Sequence, residues 1–98
     1  MLHIVNKSPM DSTTLDSCLR VAQPGDILLI EDAVYAATSG SAFESKISDA
    51  LQRSKVYVLQ PDLEARGLAD RLMAGVTPVD YGGFVDLVTS NKSCQSWL

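Results

Sequence analysis

The sequence predicts an α/β protein, a three-layer sandwich built around a mainly parallel sheet. Short aliphatic segments alternate along the chain with segments whose apolar residues recur at helical spacing. The connections between them are short turns, which is typical of parallel sheets covered by helices. The chain has 98 residues, enough to bury one modest core, so we expect a single domain over residues 1–98.

Four strands are predicted, each bounded by polar or turn-forming residues. They cover Leu2–Val5, Ile27–Ile30, Val56–Leu59 and Val76–Asp80. The second is an uninterrupted apolar run, as expected for a strand that is buried on both faces. The fourth is interrupted by Pro78, which cannot donate a hydrogen bond to a sheet. The polar segment 90–96 is expected to be a mobile tail.

Helical segments lie between these strands. Ser12 or Thr13 can cap the first helix, and Ala33–Ala37 is compatible with a short second one. The third strand runs into a helix of one or two turns, with Pro61 in its first turn and Arg66-Gly67 at its end. The other apolar residues at helical spacing are Leu15, Cys18, Leu19 and Ala22, then Phe43, Ile47, Ala50 and Leu51, and finally Phe84, Leu87 and Val88.

Composition argues against two classes of function. The chain carries 12 acidic and 8 basic residues, a net charge of −4. It has no run of lysine or arginine, which argues against direct binding to nucleic acid. No window contains the roughly 18 apolar residues that a membrane span needs, and the N-terminus lacks a basic-then-apolar signal pattern. We therefore expect a cytoplasmic protein with no membrane partner.

The two cysteines, Cys18 and Cys94, are far apart and lack the spacing of a zinc site, so no metal or cofactor is expected. A disulfide is open on sequence alone, although the cytosol favours reduced thiols. Cys18 lies mid-helix, where neither a cation nor a helix N-terminus lowers its pKa. A buried small side chain and a reactive thiol are therefore both open for Cys18, whereas Cys94 is expected to be an exposed, incidental thiol.

Other polar residues have structural as well as functional interpretations. His3 has no second ligand nearby, so packing within the first strand is its favoured role. Tyr81-Gly82-Gly83 lacks a nucleotide-binding fingerprint and is better explained as a tight turn than as an anion cradle. Trp97-Leu98 either folds back onto its own domain or contacts a partner. Four charged residues are expected at the carboxyl edge of the sheet, where sites in open α/β folds lie: Asp32, Asp62, Glu64 and Arg66.

Several further segments are spread in order over essentially the whole chain. They are Met1-Leu2-His3, Ser8-Pro9, Gly25-Asp26, Asp32–Ala37, Lys55–Leu59, Asp62–Gly67, Asp80-Tyr81, Phe84-Val85 and Trp97. In their shared order and spacing they resemble the DsrH/TusB family of sulfur-relay proteins. The segment Leu15–Cys18 is similar to the DsrH type, whose members carry a cysteine in this helix, whereas some TusB-like members lack it.

The resemblance implies a DsrE/DsrF/DsrH-like fold. It also implies a heterohexamer with sister subunits of the DsrE/TusD and DsrF/TusC types, two copies of each chain. Such complexes pass persulfide sulfur to a downstream acceptor protein, either for tRNA wobble 2-thiouridine or for sulfur oxidation. Their main sulfur-carrying cysteine belongs to the DsrE/TusD-type sister, at the corner after its third strand. The corresponding corner here, Leu59–Asp62, has no cysteine. The resemblance therefore implies a mainly structural subunit, with Cys18 as a candidate secondary persulfide site.

Two other classes of function stay open. A free-standing thiol enzyme would act through Cys18, and it requires an accessible Cys18 with a lowered pKa and activity in the isolated chain. A homo-oligomeric ligand-binding α/β module requires a well-formed pocket and no sister subunits.

Overall fold

The sheet contains five strands, all parallel. The computed structural model describes residues 1–10, 13–21 and 25–97, and within them the strand order is β4-β3-β2-β1-β5. This confirms the predicted α/β fold. Ser12, Ala22, Pro24 and Leu98, for which the sequence predicts roles, lie outside the described residues. The strands are β1 Leu2–Val5, β2 Asp26–Leu29, β3 Lys55–Leu59, β4 Thr77–Val79 and β5 Cys94–Trp97.

The helices follow the predicted order closely. The end of the third α-helix matches the prediction, because Gly67 adopts a left-handed φ of 67°. The amides of Gly67 and Leu68 donate to the carbonyls of Glu64 and Leu63 at 3.0 and 2.9 Å, which closes the helix with a glycine cap. The bounds are α1 Thr14–Val21, α2 Glu44–Leu51, α3 Gln60–Ala65 and α4 Tyr81–Ser90, with 3-10 helices at Glu31–Ala37 and Ala69–Arg71.

The larger core lies on one face of the sheet, called here the first face. It is covered by α1, α2, α3 and the 3-10 helix Glu31–Ala37. The strand side chains that point to it alternate with those of the other face, as the pleat of a sheet requires. Its buried members include Val5, Leu15, Cys18, Ile27, Leu29, Val34, Ile47, Val56, Val58 and Leu63.

The opposite, second face is covered by α4 alone among the described helices. Leu2, Leu28 and Leu87 are buried there. Five strands at roughly 4.8 Å spacing span about 19 Å, whereas a helix is about 10 Å wide. One helix therefore covers only about half of this face, and the third layer of the predicted sandwich is thin. The partly buried apolar residues on this side are Ile4, Ile30, Tyr57, Val79 and Phe84.

Three expectations need correction. Much of the polar segment 90–96 is not a mobile tail, because Cys94–Trp97 forms β5 and pairs with β1 along the whole of that strand. Tyr81-Gly82-Gly83 is the first turn of α4 rather than a tight turn. A Cβ at Gly83 would lie 2.9 Å from the Cβ of Val79, so this glycine lets α4 approach the end of β4. The fourth strand is shorter than predicted, and Pro78 is tolerated because β4 is an edge strand.

Candidate functional site

In this topology a site is expected at the carboxyl ends of β3 and β4. α3 packs on the first face and α4 on the second, and a crevice opens where successive connections leave a parallel sheet on opposite sides. The crevice is flanked by Gln60 and Asp80. The Gln60 amide donates to Glu64 at 2.9 Å, and the Asp80 carboxylate accepts from the Gly83 amide at 2.7 Å. Both side chains therefore serve their own helices, and no thiol occupies the corner.

Arg66 contacts two of the other three charged residues expected at this edge, Asp32 and Asp62. Its Nη2 and Nε donate to the Asp32 carboxylate at 2.9 and 3.1 Å, and Nη1 donates to the Asp62 carbonyl at 3.1 Å. The Asp62 carboxylate lies 4.0 Å from Arg66 and accepts a 2.6 Å hydrogen bond from the Glu31 amide. These contacts join α3 to the 3-10 helix, so the cluster holds two elements together and does not form a pair of carboxylates poised for acid–base chemistry.

Sequence reasoning did not single out Glu31 or Asn6, which belong to the same edge. Glu31 has a φ of 51°, a left-handed conformation that costs a non-glycine residue about 1–2 kcal/mol. Asn6 Nδ2 donates to the Glu31 carboxylate at 3.4 Å, and Asn6 Oδ1 is buried without a partner among the described residues. No sequence signal marks such a conformation, and the Asp62 carboxylate that accepts from the Glu31 amide belongs to a distant part of the chain.

Cys18 lies in the core of the first face. It is 0 % exposed, and burial raises the pKa of its thiol to about 12. At neutral pH the thiol is therefore almost entirely protonated, and it is the thiolate that reacts. In the folded chain Cys18 therefore has the surroundings of a packed small side chain.

Cys94 is the second free thiol, and it is exposed. It begins β5 and pairs with Leu2 at the start of β1, so it lies at the amino edge of the sheet, away from the crevice. It shares the second face with Leu2, whereas Cys18 lies under the first face. The two thiols are therefore on opposite sides of the sheet, and both are unpaired.

His3 and Trp97 contact one another across β1 and β5. The Trp97 indole Nε1 donates to His3 Nδ1 at 3.1 Å, and the ring centroids are 6.2 Å apart. Burial lowers the pKa of His3, and the N-terminal amino group lowers it further. His3 is therefore a packed, hydrogen-bonded strand residue, as predicted, and Trp97 folds back onto its own chain.

Two cavities among the described residues have linings without cysteine or histidine. One cavity of about 280 Å³ lies beside Pro9, Tyr35, Phe43, Leu68 and Arg71. An open groove of about 600 Å³ separates α1 from α2 and contains the ion pair between Lys46 and Asp16. Residues 1–10, 13–21 and 25–97 contain no cluster of metal-binding side chains, and no helix among them is long and apolar enough to cross a membrane.

Fold and site together define an open, parallel α/β chain. Its switch-point corner, the turn from β3 into α3 beside the crevice, has Gln60 and no thiol. Residues 7–94 match the family model described as DsrH like protein. The chain is 38% identical to Protein TusB of Escherichia coli O1:K1 over 98 residues, which is 99% of this chain and all of that protein. Protein TusB of Shigella flexneri is 37% identical over the same coverage. The chain therefore belongs to the DsrH/TusB family, and membership implies a subunit of a sulfur-relay complex.

Two solved structures share the fold. The ychN protein of E. coli superposes with a TM-score of 0.80 at 20% identity, covering 97% of both chains. MTH1491 of Methanobacterium thermoautotrophicum, a protein of unknown function, superposes with a TM-score of 0.75 at 19% identity, covering 97% of this chain and 95% of its own.

Proposed function

We propose that this chain is a mainly structural subunit of a cytoplasmic sulfur-relay complex, in which it covers and positions a sister subunit that carries persulfide sulfur. Its partners are sister subunits of the DsrE/TusD and DsrF/TusC types in a heterohexamer, together with a downstream sulfur-acceptor protein. The net charge of −4 fits transfer of sulfur to a protein better than contact with RNA.

The absence of a thiol at the switch-point corner carries the proposal. A sulfur carrier needs an accessible thiol that ionises readily. The corner after β3 has Gln60 instead, Cys18 is enclosed in the core, and Cys94 lies at the opposite edge of the sheet. The secondary persulfide role of Cys18 stays a prediction, and it requires the core between α1 and the sheet to open.

The test is co-expression of this chain with its two sister subunits, followed by mass spectrometry of each cysteine. We expect the three chains to purify together, with extra sulfur on the DsrE/TusD-type sister and none on Cys94. Cys18→Ala should leave sulfur loading of the DsrE/TusD-type sister unchanged, and extra sulfur on Cys18 in the wild-type complex would establish its secondary role. Rapid sulfur loading and turnover by the isolated chain would contradict the proposal and support the free-standing thiol enzyme. Failure to bind either sister would contradict it in favour of the ligand-binding module.

The sulfur is destined either for tRNA thiolation or for sulfur oxidation. Full-length similarity to TusB proteins supports the first, whereas the Cys18 segment resembles the DsrH type. Removing the chain from its host separates these outcomes. Loss of 2-thiouridine from tRNA would assign the first pathway, and loss of sulfur oxidation with intact 2-thiouridine would assign the second. No change in either would contradict a role in sulfur relay.

A further inference from the structure

The cavity of about 280 Å³ beside Arg71, called here the Arg71 cavity, is lined by three separate segments of the chain. Pro9 follows β1, Tyr35 and Phe43 lie between β2 and α2, and Leu68 and Arg71 lie between α3 and β4. The first two segments leave their strands at the carboxyl edge of the sheet, where ligands of open α/β folds bind. The residues that flank the crevice at the ends of β3 and β4 are not among the described lining residues.

The walls of the Arg71 cavity are mostly apolar, and its charge is at the mouth. Leu68 is 8% exposed, and Phe43 packs against the core of the first face. Arg71 is exposed. Among the described lining residues it is the only one that carries a charge, and it takes part in none of the ion pairs printed for the described chain. The cavity therefore combines an apolar interior with an unpaired cation.

Backbone hydrogen bonds hold two of the walls together. The Ser39 amide donates to the Arg71 carbonyl at 2.6 Å, and the Met73 amide donates to the Ala37 carbonyl at 2.9 Å. These bonds join the segment before α2 to the segment before β4. Small-molecule sites are usually formed before the ligand arrives, and the Arg71 cavity meets this condition because its walls are tied by main-chain contacts.

A second hydrogen-bond donor lines the cavity. Ser41 Oγ accepts from the Phe43 amide at 3.2 Å, which leaves the hydroxyl proton of Ser41 to donate to a ligand. The nearby Glu44 carboxylate accepts from the Gly40 amide at 3.2 Å and is not part of the lining. Ser41 and Arg71 therefore both offer donors, which suits an anionic group on the ligand.

We propose that the Arg71 cavity binds a small carboxylate with an apolar body. The guanidinium of Arg71 matches a carboxylate through two parallel hydrogen bonds, and the apolar body lies against Phe43 and Leu68. A cavity of about 150 Å³ is enough for a benzene ring. The Arg71 cavity, at about 280 Å³, therefore has room for one ring and a short acidic arm.

Binding should be weak. A ligand of about ten non-hydrogen atoms makes few contacts, and an exposed cation contributes less than a buried one, so we expect a dissociation constant of about 0.1–1 mM. The inference goes beyond the proposed function and does not depend on it, because the cavity is lined by one chain.

Titration of the full chain with phenylacetate, followed in its amide NMR spectrum, tests the inference. Two control probes separate the parts of the ligand: phenethyl alcohol lacks the charge, and acetate lacks the ring. We expect saturable shifts at residues 38–43 and 68–72 with phenylacetate, and at least tenfold weaker binding of either control. The absence of saturable shifts up to about 20 mM phenylacetate, or equal affinity for phenylacetate and either control, would overturn the inference.

Substitutions at the mouth test the residues. Arg71→Gln should weaken phenylacetate binding at least tenfold, whereas Arg71→Lys should weaken it less, because lysine keeps the charge and loses the fork. Arg20→Gln is the matched control, since Arg20 is exposed on α1, and it should have no effect. Equal effects of Arg71→Gln and Arg20→Gln would overturn the inference.

Obstruction of the cavity is the last test. Ala42 is exposed and belongs to the lining, so Ala42→Phe should weaken phenylacetate binding at least tenfold by filling the space. Unchanged affinity in Ala42→Phe would place the probe elsewhere and refute the inference. The comparison of the three probes uses the wild-type chain, so it stays decisive if a variant fails to fold. Recovery of the complex with sister subunits is a separate measurement that tests the proposed function.

Discussion

The outer layers on the two faces of the sheet have different surfaces. On the first face, the outward sides of α1 and α2 carry ion pairs, with Lys46 2.7 Å from Asp16 and Arg53 3.5 Å from Asp49. On the second face, α4 leaves Tyr81, Val85 and Val88 exposed and has one charged residue, Asp86. Exposed ion pairs add little stability, typically below about 1 kcal/mol, but they give a surface that water solvates well. The comparison shows that the helices of the first face present paired charges to water, whereas the helix of the second face presents apolar side chains.

The largest expected effect is the loss of unfolding free energy when a buried side chain is truncated in each of the two cores. Ile47 and Leu87 are both buried, Ile47 under α2 on the first face and Leu87 under α4 on the second. Ile47→Ala should cost about 3–4 kcal/mol of unfolding free energy and Leu87→Ala about 2 kcal/mol, because α4 can settle into the space left behind more freely. Denaturant titration measures both values, and an equal or larger loss for Leu87→Ala would break the comparison.

The second prediction concerns Cys18 and alkaline pH. The ordinary pKa of its thiol is 9.0 and burial raises it to about 12, so on raising the pH the unfolded chain loses this proton first. Stability should therefore fall between pH 9 and 12, with a contribution from Cys18 approaching about 1.4 kcal/mol per pH unit. The measurement is the difference in slope between the wild type and Cys18→Ala.

Thiol labelling of the native chain is the companion measurement. Cys94 should react at once with a soluble disulfide reagent, whereas Cys18 should react only as fast as the core opens. Comparable rates for the two thiols would show that Cys18 is not enclosed.

The third prediction tests how closely α4 approaches the sheet. Gly83→Ala places a Cβ 2.9 Å from the Cβ of Val79 and should destabilise the chain by about 1–2 kcal/mol, even though alanine is the better helix former. At Gly82 the nearest atom is Asp80 Oδ1 at 3.3 Å, so Gly82→Ala should be near neutral. Thermal unfolding measures both, and a stabilising Gly83→Ala would mean that α4 is free to shift.

The smallest expected effect is the contribution of His3 to the pH dependence of stability. Its pKa is lowered by burial and by the N-terminal amino group, so the unfolded chain takes up this proton first as the pH falls. The contribution to stability should be complete above pH 6.5 and lost as the pH falls through the folded pKa, since a protonated His3 cannot accept the Trp97 hydrogen bond. Trp97 is the only tryptophan, so its emission reports the change, and His3→Gln should remove the pH dependence.

Much of the carboxyl edge could be predicted from the sequence. Asp32, Asp62 and Arg66 follow two parallel strands, and parallel strands end at the same edge. The left-handed Glu31 could not be predicted, because glutamate has no local preference for that conformation and the carboxylate that binds its amide lies 31 positions further along the chain. That Asp32 lies closer to Arg66 than Asp62 does could not be predicted either, because Asp32 and Arg66 are 34 positions apart and only folding brings them together.

The sequence by itself determined the alternation of strands and helices, four of the five strands and the family. These follow from local periodicity and from the order of short segments, both of which are present in the chain before it folds. Only the tertiary structure decided that Cys94–Trp97 is a strand, because a polar edge strand is defined by its hydrogen bonds to β1 and not by its own pattern. The same holds for the burial of Cys18 and the exposure of Tyr81, Val85 and Val88 on α4, since exposure depends on what the rest of the chain covers.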